Sequence, residues 1–180
     1  MKREIVQIIE IPEGVNAAIE DSKIIIEGKE GKNERKFDFH RLNFEKKENQ
    51  IIIGEKKATK NEKKRINTIA SHIKNMIQGV QGKFEYKLKV CFSHFPVTVE
   101  IKGKEAIIKN FLGEKTPRKV LIPAGAEVKV EKDIITVRAS DIETAGQAAA
   151  NFENVTRIPN KDRRIFQDGI FITSKCGVDI

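Results

Sequence analysis

Short apolar runs alternate with polar residues along most of this chain, and twice the alternation gives way to a helical period. The first set of runs is Ile5 to Ile11, Val15 to Ile19, Lys23 to Gly28, Arg35 to Phe39 and Ile51 to Gly54. They are short and rich in β-branched residues, which fit a pleated, half-buried surface, so they predict strands. Asp21-Ser22 reads as a tight turn between two of them. Ile66, Ile69, Ala70, Ile73, Ile77 and Val80 then recur at i, i+3, i+4 and i+7, the signature of one buried helix face. Gly79 and Gly82 are expected to stop this helix, and Lys83 to Phe92 returns to a strand pattern.

The order then repeats. Val97 to Lys102, Glu105 to Leu112, Lys119 to Ile122, Ala126 to Glu131 and Ile134 to Arg138 predict strands. A helix follows with Ile142, Ala145, Ala149, Phe152 and Val155 on one face, and Gly169 to Ser174 reads as a closing strand. The halves also align residue by residue. V-N-A-A-I-E-D-S-K-I-I-I from Val15 matches V-T-V-E-I-K-G-K-E-A-I-I from Val97, 82 residues later, and Ile51-Ile52 matches Ile134-Ile135, 83 residues later. Each helix opens on a capping-box signal, Thr59-x-x-Glu62 and Ser140-x-x-Glu143, in which hydroxyl and carboxylate satisfy two otherwise orphaned amides. These features predict an α+β chain of two tandem similar domains, made by internal duplication. Each is a mainly antiparallel sheet packed on one helix, spanning 1–82 and 83–180. The boundary region, Lys83 to Pro96, is strand-like rather than Gly/Ser-rich, so a stiff linkage is expected.

Charge narrows the partners. Lysine and arginine number 34 against 26 acids in 180 residues, a net charge of +8, which favours an anionic partner. No apolar run approaches a membrane span, and Glu4 and Glu10 interrupt the opening segment as a signal sequence. A cytoplasmic protein is expected. The two cysteines, Cys91 and Cys176, fit no zinc spacing and read as reduced thiols.

Catalysis finds little support. The histidines are His40, His72 and His94. In a strand Cys91 and Ser93 share one face while His94 takes the other, so Cys91 and His94 are not joined as nucleophile and base. A buried cysteine and a linker histidine are expected instead. No catalytic residue, cofactor or metal site is expected. Gly113-Glu-Lys-Thr116 lacks the order of a phosphate-binding loop and reads as a turn. Gly79-Val-Gln-Gly82 has G-x-x-G spacing but precedes a strand, where a KH loop would join two helices.

Basic clusters are more informative. Lys56 to Arg65 holds six basic residues against Glu62 alone, Lys102 to Lys119 six against two acids, and Arg157 to Lys175 five against two. Cations gain nothing from the positive end of a helix dipole, so the first cluster favours an outside anion. Arg163-Arg164 suits bidentate phosphate contact.

Two segments are specific: N-F-L-G-E-K at Asn110 to Lys115 and N-K-D-R-R-I-F-Q-D-G-I-F at Asn160 to Phe171. With the duplication and the length, they resemble the large-subunit ribosomal protein six family, in its archaeal and eukaryotic branch. I-P-E-G-V at Ile11 to Val15 resembles the family's opening, and F-S-H-F-P at Phe92 to Pro96 its mid-chain hinge. The resemblance implies a non-catalytic protein of the large ribosomal subunit in the cytoplasm. It would bind large-subunit ribosomal RNA chiefly through 83–180, near the stalk base, the sarcin–ricin loop and the factor-binding region. Neighbouring ribosomal proteins and translation factors would lie close by. Carried over by motif, RNA contact falls on Lys109, Lys115, Lys161, Arg163, Arg164, the Gly169 turn and Lys175. Bacterial members carry G-K-G where this chain has Gln167-Asp168-Gly169, so their lysine contact does not transfer to Asp168. A general RNA-binding or chaperone module outside the ribosome is the alternative, and a small hydrolase using Cys91 with His94 or His72 is the enzymatic rival.

Overall fold

The computed structural model describes residues 3–20, 22–38, 42–47, 49–162 and 164–180. The chain divides into two units, Met1–Lys83 and Phe84–Ile180. In the first, β1 (Arg3–Glu10), β2 (Asn16–Glu20), β3 (Lys23–Gly28), β4 (Gly31–Lys36), β5 (Asn43–Lys47) and β6 (Gln50–Ala58) precede α1 (Lys60–Gln81). They form two three-stranded antiparallel sheets, ordered β1-β6-β5 and β2-β3-β4. Ile24 and Ile26 of β3, Ile51 and Ile53 of β6, and Ile66, Ile73 and Val80 of α1 are sealed in one core. The predicted apolar face of α1 is thus the buried one.

Thr59 caps α1 as its sequence predicts. Its hydroxyl accepts from the Asn61 amide at 3.4 Å, while the Glu62 carboxylate accepts from the Thr59 amide at 2.8 Å. The helix does not stop at Gly79, which is buried within it; it ends at Gln81, and the Gly82 amide donates to Gln78 O. Gly28 meets this end of the helix, where a Cβ would lie 2.9 Å from Val80 O. In this unit two strands differ from expectation, and in the second unit the strand expected over Glu105 to Leu112 stops at Lys109. The run at Arg35 to Phe39 is replaced by β4, which ends at Lys36, and β5 carries no apolar run at all. Both are edge strands, so G-K-N-E-R-K and N-F-E-K-K bury little and show almost no hydrophobic alternation. Phe39, His40 and Asp21 lie outside the described residues; on either side of the Asp21-Ser22 turn, Glu20 pairs with Lys23.

The second unit contains β7 (Phe84–Cys91), β8 (Thr98–Lys102), β9 (Glu105–Lys109), β10 (Arg118–Leu121), β11 (Glu127–Glu131) and β12 (Ile134–Ala139), then α2 (Ile142–Val155), β13 (Gly169–Lys175) and β14 (Val178–Asp179). Its sheets are β11-β12-β7-β13-β14 and β10-β9-β8, again antiparallel. The segment expected at a boundary is therefore the central strand of the larger sheet. Ala145, Ala148, Ala149 and Phe152 of α2 share a core with Leu88, Ile135, Val137 and Ile170. The N-cap of α2 is Asp141 rather than Ser140: its carboxylate accepts from the Glu143 amide at 3.3 Å and the Thr144 amide at 3.1 Å.

The duplication is visible in the sheets. Order β2-β3-β4 recurs as β8-β9-β10, and β1-β6-β5 recurs as β7-β12-β11, with one helix following each set. The 82-residue offset holds in β3 and β9, where Ile24 and Ile26 match the equally buried Ala106 and Ile108. In β6 and β12 the buried pairs are Ile51 with Ile135 and Ile53 with Val137, an offset of 84 rather than 83. Ile134, the expected partner of Ile51, is 50% exposed. A slip of one residue in a strand exchanges its two faces. Among the described residues, β13 and β14 have no counterpart in the first unit.

Candidate nucleic-acid interface

The Asn160 to Phe171 segment leads from α2 into β13 and is anchored where it enters that strand. Thr156, buried at the end of α2, donates to Phe152 O, and its hydroxyl accepts from the Ile170 amide at 3.0 Å. Asp168 is the second anchor, with its side chain only 2% exposed. Its carboxylate accepts from the Ser93 amide, from the Ser93 hydroxyl at 2.9 Å and from His94 Nδ1 at 2.7 Å. Burial pushes the Asp168 carboxyl upward, but the Ser93 amide, the His94 ring and the Ser93 hydroxyl outweigh it, so its pKa lies below the ordinary carboxylate value. The Phe166 ring stacks on the His94 ring, centroids 5.0 Å apart, and Lys161 Nζ sits 5.4 Å from the Phe166 centroid.

This clasp corrects three expectations. His94 is not a loose linker residue, and F-S-H-F-P belongs inside the second unit through its bonds to Asp168. Cys91 is half-buried at the end of β7 rather than fully buried. Gly169 opens strand β13 opposite Cys91 instead of forming a turn. Its lack of a Cβ serves the neighbouring ring, since a Cβ there would lie 2.9 Å from Cζ of Phe171.

The remaining candidates divide into groups. Lys161 and Gly169 border one cleft of about 610 Å³, together with Arg157, Asn160, Phe166 and Phe171. Arg164 is exposed and paired with Asp162, with Nη2 to Oδ2 at 2.8 Å. That contact and the Arg164 amide hold the Asp162 carboxyl below its usual range. Arg163 lies outside the described residues. Lys175 is exposed at the far end of β13. Lys109 and Lys115 flank the N-F-L-G-E-K turn, outside that cleft. Lys109 bonds Glu100 at 2.6 Å, and Lys115 is exposed.

The turn itself is tightly specified. Asn110 and Leu112 adopt left-handed backbone (φ 58° and 49°), and Gly113 follows at φ 75°. Such conformations persist only where surroundings over-determine them. Here Asn110 Nδ2 donates to Pro96 O at 3.0 Å, and Phe111 is buried under the Arg118 guanidinium, 4.4 Å from the ring centroid. Arg118 also grips both oxygens of Glu114 and donates to Val155 O. Its guanidinium therefore holds the Glu114 carboxyl below the ordinary range. The sequence reading missed Arg118 and Asp168 as bracing residues. Their signal is faint: one arginine i+4 from a glutamate, and one acid inside a basic segment.

Ser93, His94 and Asp168 contain the residue types of a hydrolytic triad without its geometry. Ser93 Oγ and Asp168 meet the same ring nitrogen, Nδ1, at 3.1 Å and 2.7 Å. A relay needs them on opposite nitrogens. Among the described residues, no group of three or more His, Cys, Asp or Glu is placed to hold a metal, and no helix is long and apolar enough to cross a membrane.

The family model described as Ribosomal protein L6 matches this chain twice, at residues 11–83 and 95–169. The relatives include the large ribosomal subunit protein uL6 of Methanosarcina mazei, 41% identical over 97% of this chain and 99% of its own length. The protein of that name from Methanobrevibacter smithii is 40% identical over 93% and 94%, and that from Ignicoccus hospitalis 39% identical over 93% of each. Two matched repeats on two similar folded units, with this identity across nearly the whole length, show that the chain belongs to the ribosomal protein L6 family.

Proposed function

We propose that the chain is a structural constituent of the large ribosomal subunit in the cytoplasm, binding large-subunit ribosomal RNA. As a member of its family it is a structural protein and not an enzyme. One observation carries the reading: kinship over nearly the whole chain with proteins named for the large ribosomal subunit.

The finer assignment is that 83–180 is the main RNA-binding domain. It would sit near the stalk base, the sarcin–ricin loop and the region where translation factors dock, with 1–82 bracing against neighbouring RNA or protein. Lys109, Lys115, Lys161, Arg163, Arg164, Gly169 and Lys175 form the proposed contact set. Two features support it. The Asp168 clasp fixes the end of the segment beside Phe166, over whose ring Lys161 sits, which lowers the ordering entropy lost there on binding. Exposed cations on such a frame suit recognition of phosphates and folded RNA shape. Gly169 would in addition seat Phe171.

The test is co-sedimentation of the full chain with ribosomal subunits at rising salt, with crosslinks mapped on the RNA. Association with the large subunit alone, weakening steeply with salt, is the expected result. Equal binding to unrelated RNAs would favour a general RNA chaperone. Replacing Arg163 and Arg164 by alanine should weaken RNA binding while the fold is kept, and unchanged affinity would remove both from the contact set.

A further inference from the structure

Phe171 is an aromatic residue on the wrong side of its strand for a core. α2 packs on the face of the five-stranded sheet that carries Leu88 and Ile170, and Phe171 faces the other way. It is 37% exposed, and its ring tip rests over Gly169, with Cζ at 2.9 Å and Cε2 at 3.1 Å from the position of an added Cβ. Glycine at 169 thus lets the ring settle against the backbone and still present a surface to solvent. Phe171 also stands between two depressions, the 610 Å³ cleft and a second of about 330 Å³ lined by Phe92 and Gln167.

Cations stand on both sides of the ring. Arg157 and Lys161 border the larger cleft, as do Asn154 and Asn160. Its acids are Glu153 and Asp168, and Asp168 is already committed to Ser93 and His94. Across the sheet, Lys89 is the direct neighbour of Phe171, and Ile134 is the neighbour of Lys89, both exposed on the same face. An exposed ring, a cleft within the roughly 300–1,000 Å³ range of small-ligand sites and a positive rim complement a base joined to a phosphate. A purely apolar partner would make no use of those cations.

The geometry points to a binding site for one unpaired nucleotide of RNA, its base stacked on Phe171 and its phosphates held by Arg157 and Lys161. The inference rests on the RNA-binding reading above and adds to it a direct, sequence-tolerant contact with a base. A nucleotide within a continuous A-form helix keeps its base stacked inside the duplex, so the site selects a bulge, loop or junction.

Filter binding of the full chain to in vitro transcribed large-subunit ribosomal RNA, over a series of KCl concentrations, tests it. Phe171→Leu should lose about 5- to 150-fold in affinity, the span associated with one stacked base, with the salt slope unchanged. Phe171→Trp should bind as the wild type does. Arg157→Ala with Lys161→Ala should instead flatten the slope by about 1 to 2. Ultraviolet crosslinking of the wild-type complex should join Phe171 to a nucleotide that is unpaired in the RNA. A folded Phe171→Leu protein that binds normally would overturn the site. So would normal RNA binding by that variant with failure to enter large subunits, which would assign the ring to a protein neighbour. If the variant does not fold, the crosslink decides, and its absence from Phe171 overturns the site. Failure of the wild-type chain to bind this RNA at all would instead refute the underlying reading.

Discussion

Replacing Asp168 by asparagine removes the charge from the clasp while keeping its volume. The carboxylate accepts from the Ser93 amide, the Ser93 hydroxyl and His94 Nδ1. Hydrogen bonds to a charged group contribute about 1.5–3 kcal/mol net. The His94 side chain is 35% exposed, so its share is screened and counts for about 0.5 kcal/mol. Asparagine retains one acceptor oxygen, which limits the loss to about 2 kcal/mol. Burial acts in the opposite direction, favouring the uncharged form, yet the Asp168 pKa is lowered overall, so the sign stays destabilising. The chain has one tyrosine and no tryptophan, and Tyr86 lies in the core of the second unit. Tyrosine fluorescence during urea unfolding therefore reports on the unit that contains the clasp. The midpoint should fall by about 1–2 M at neutral pH. A folded pKa depressed below the unfolded value of about 3.9 gives stabilisation that is complete above that pH and lost as pH falls through the folded pKa. The gap between wild type and Asp168→Asn should accordingly narrow in acid. A neutral-pH difference under about 0.5 kcal/mol, or a gap that persists undiminished below the folded pKa, would refute the reasoning.

Four further substitutions follow from local geometry. Gly28→Ala should destabilise by about 1–3 kcal/mol, because the new methyl meets Val80 O and Cγ2 at 2.9 Å; circular dichroism of the helical signal in a urea titration checks it. Gly146→Ala should stabilise by about 0.5–1 kcal/mol, since it lies inside α2 and the added Cβ meets the Tyr86 hydroxyl at 3.4 Å and Cζ at 3.7 Å, ordinary contacts. The tyrosine-monitored midpoint should rise, and a fall would show that the contact cannot adjust. Asp141→Ala should cost about 0.5–2 kcal/mol by freeing the Glu143 and Thr144 amides, while Ser140→Ala should leave both bonds in place; equal losses in a thermal melt would return the cap to Ser140.

The sequence by itself determined the class of fold and its duplication. Buried strands and both helices advertise themselves through period, because a face turned to the core must be apolar at fixed intervals; Ile24, Ile26, Ile66 and Ile73 are examples. The edge strands β4 and β5 escaped because they bury little and so carry little pattern. Basic clusters and motifs also marked the Asn160 to Phe171 segment in advance. Tertiary structure alone decided what each residue in that segment does. Asp168 meets Ser93 across 75 positions of sequence, and no local rule anticipates such a contact. That meeting turns an acid in a basic run into a buried brace. Likewise the exact register of β12, set by its pairing with β7, exposes Ile134 and buries Ile135, although the two residues are chemically the same. Periodicity is a property of neighbours along the chain, whereas a clasp or a seated ring depends on which distant backbone arrives beside it.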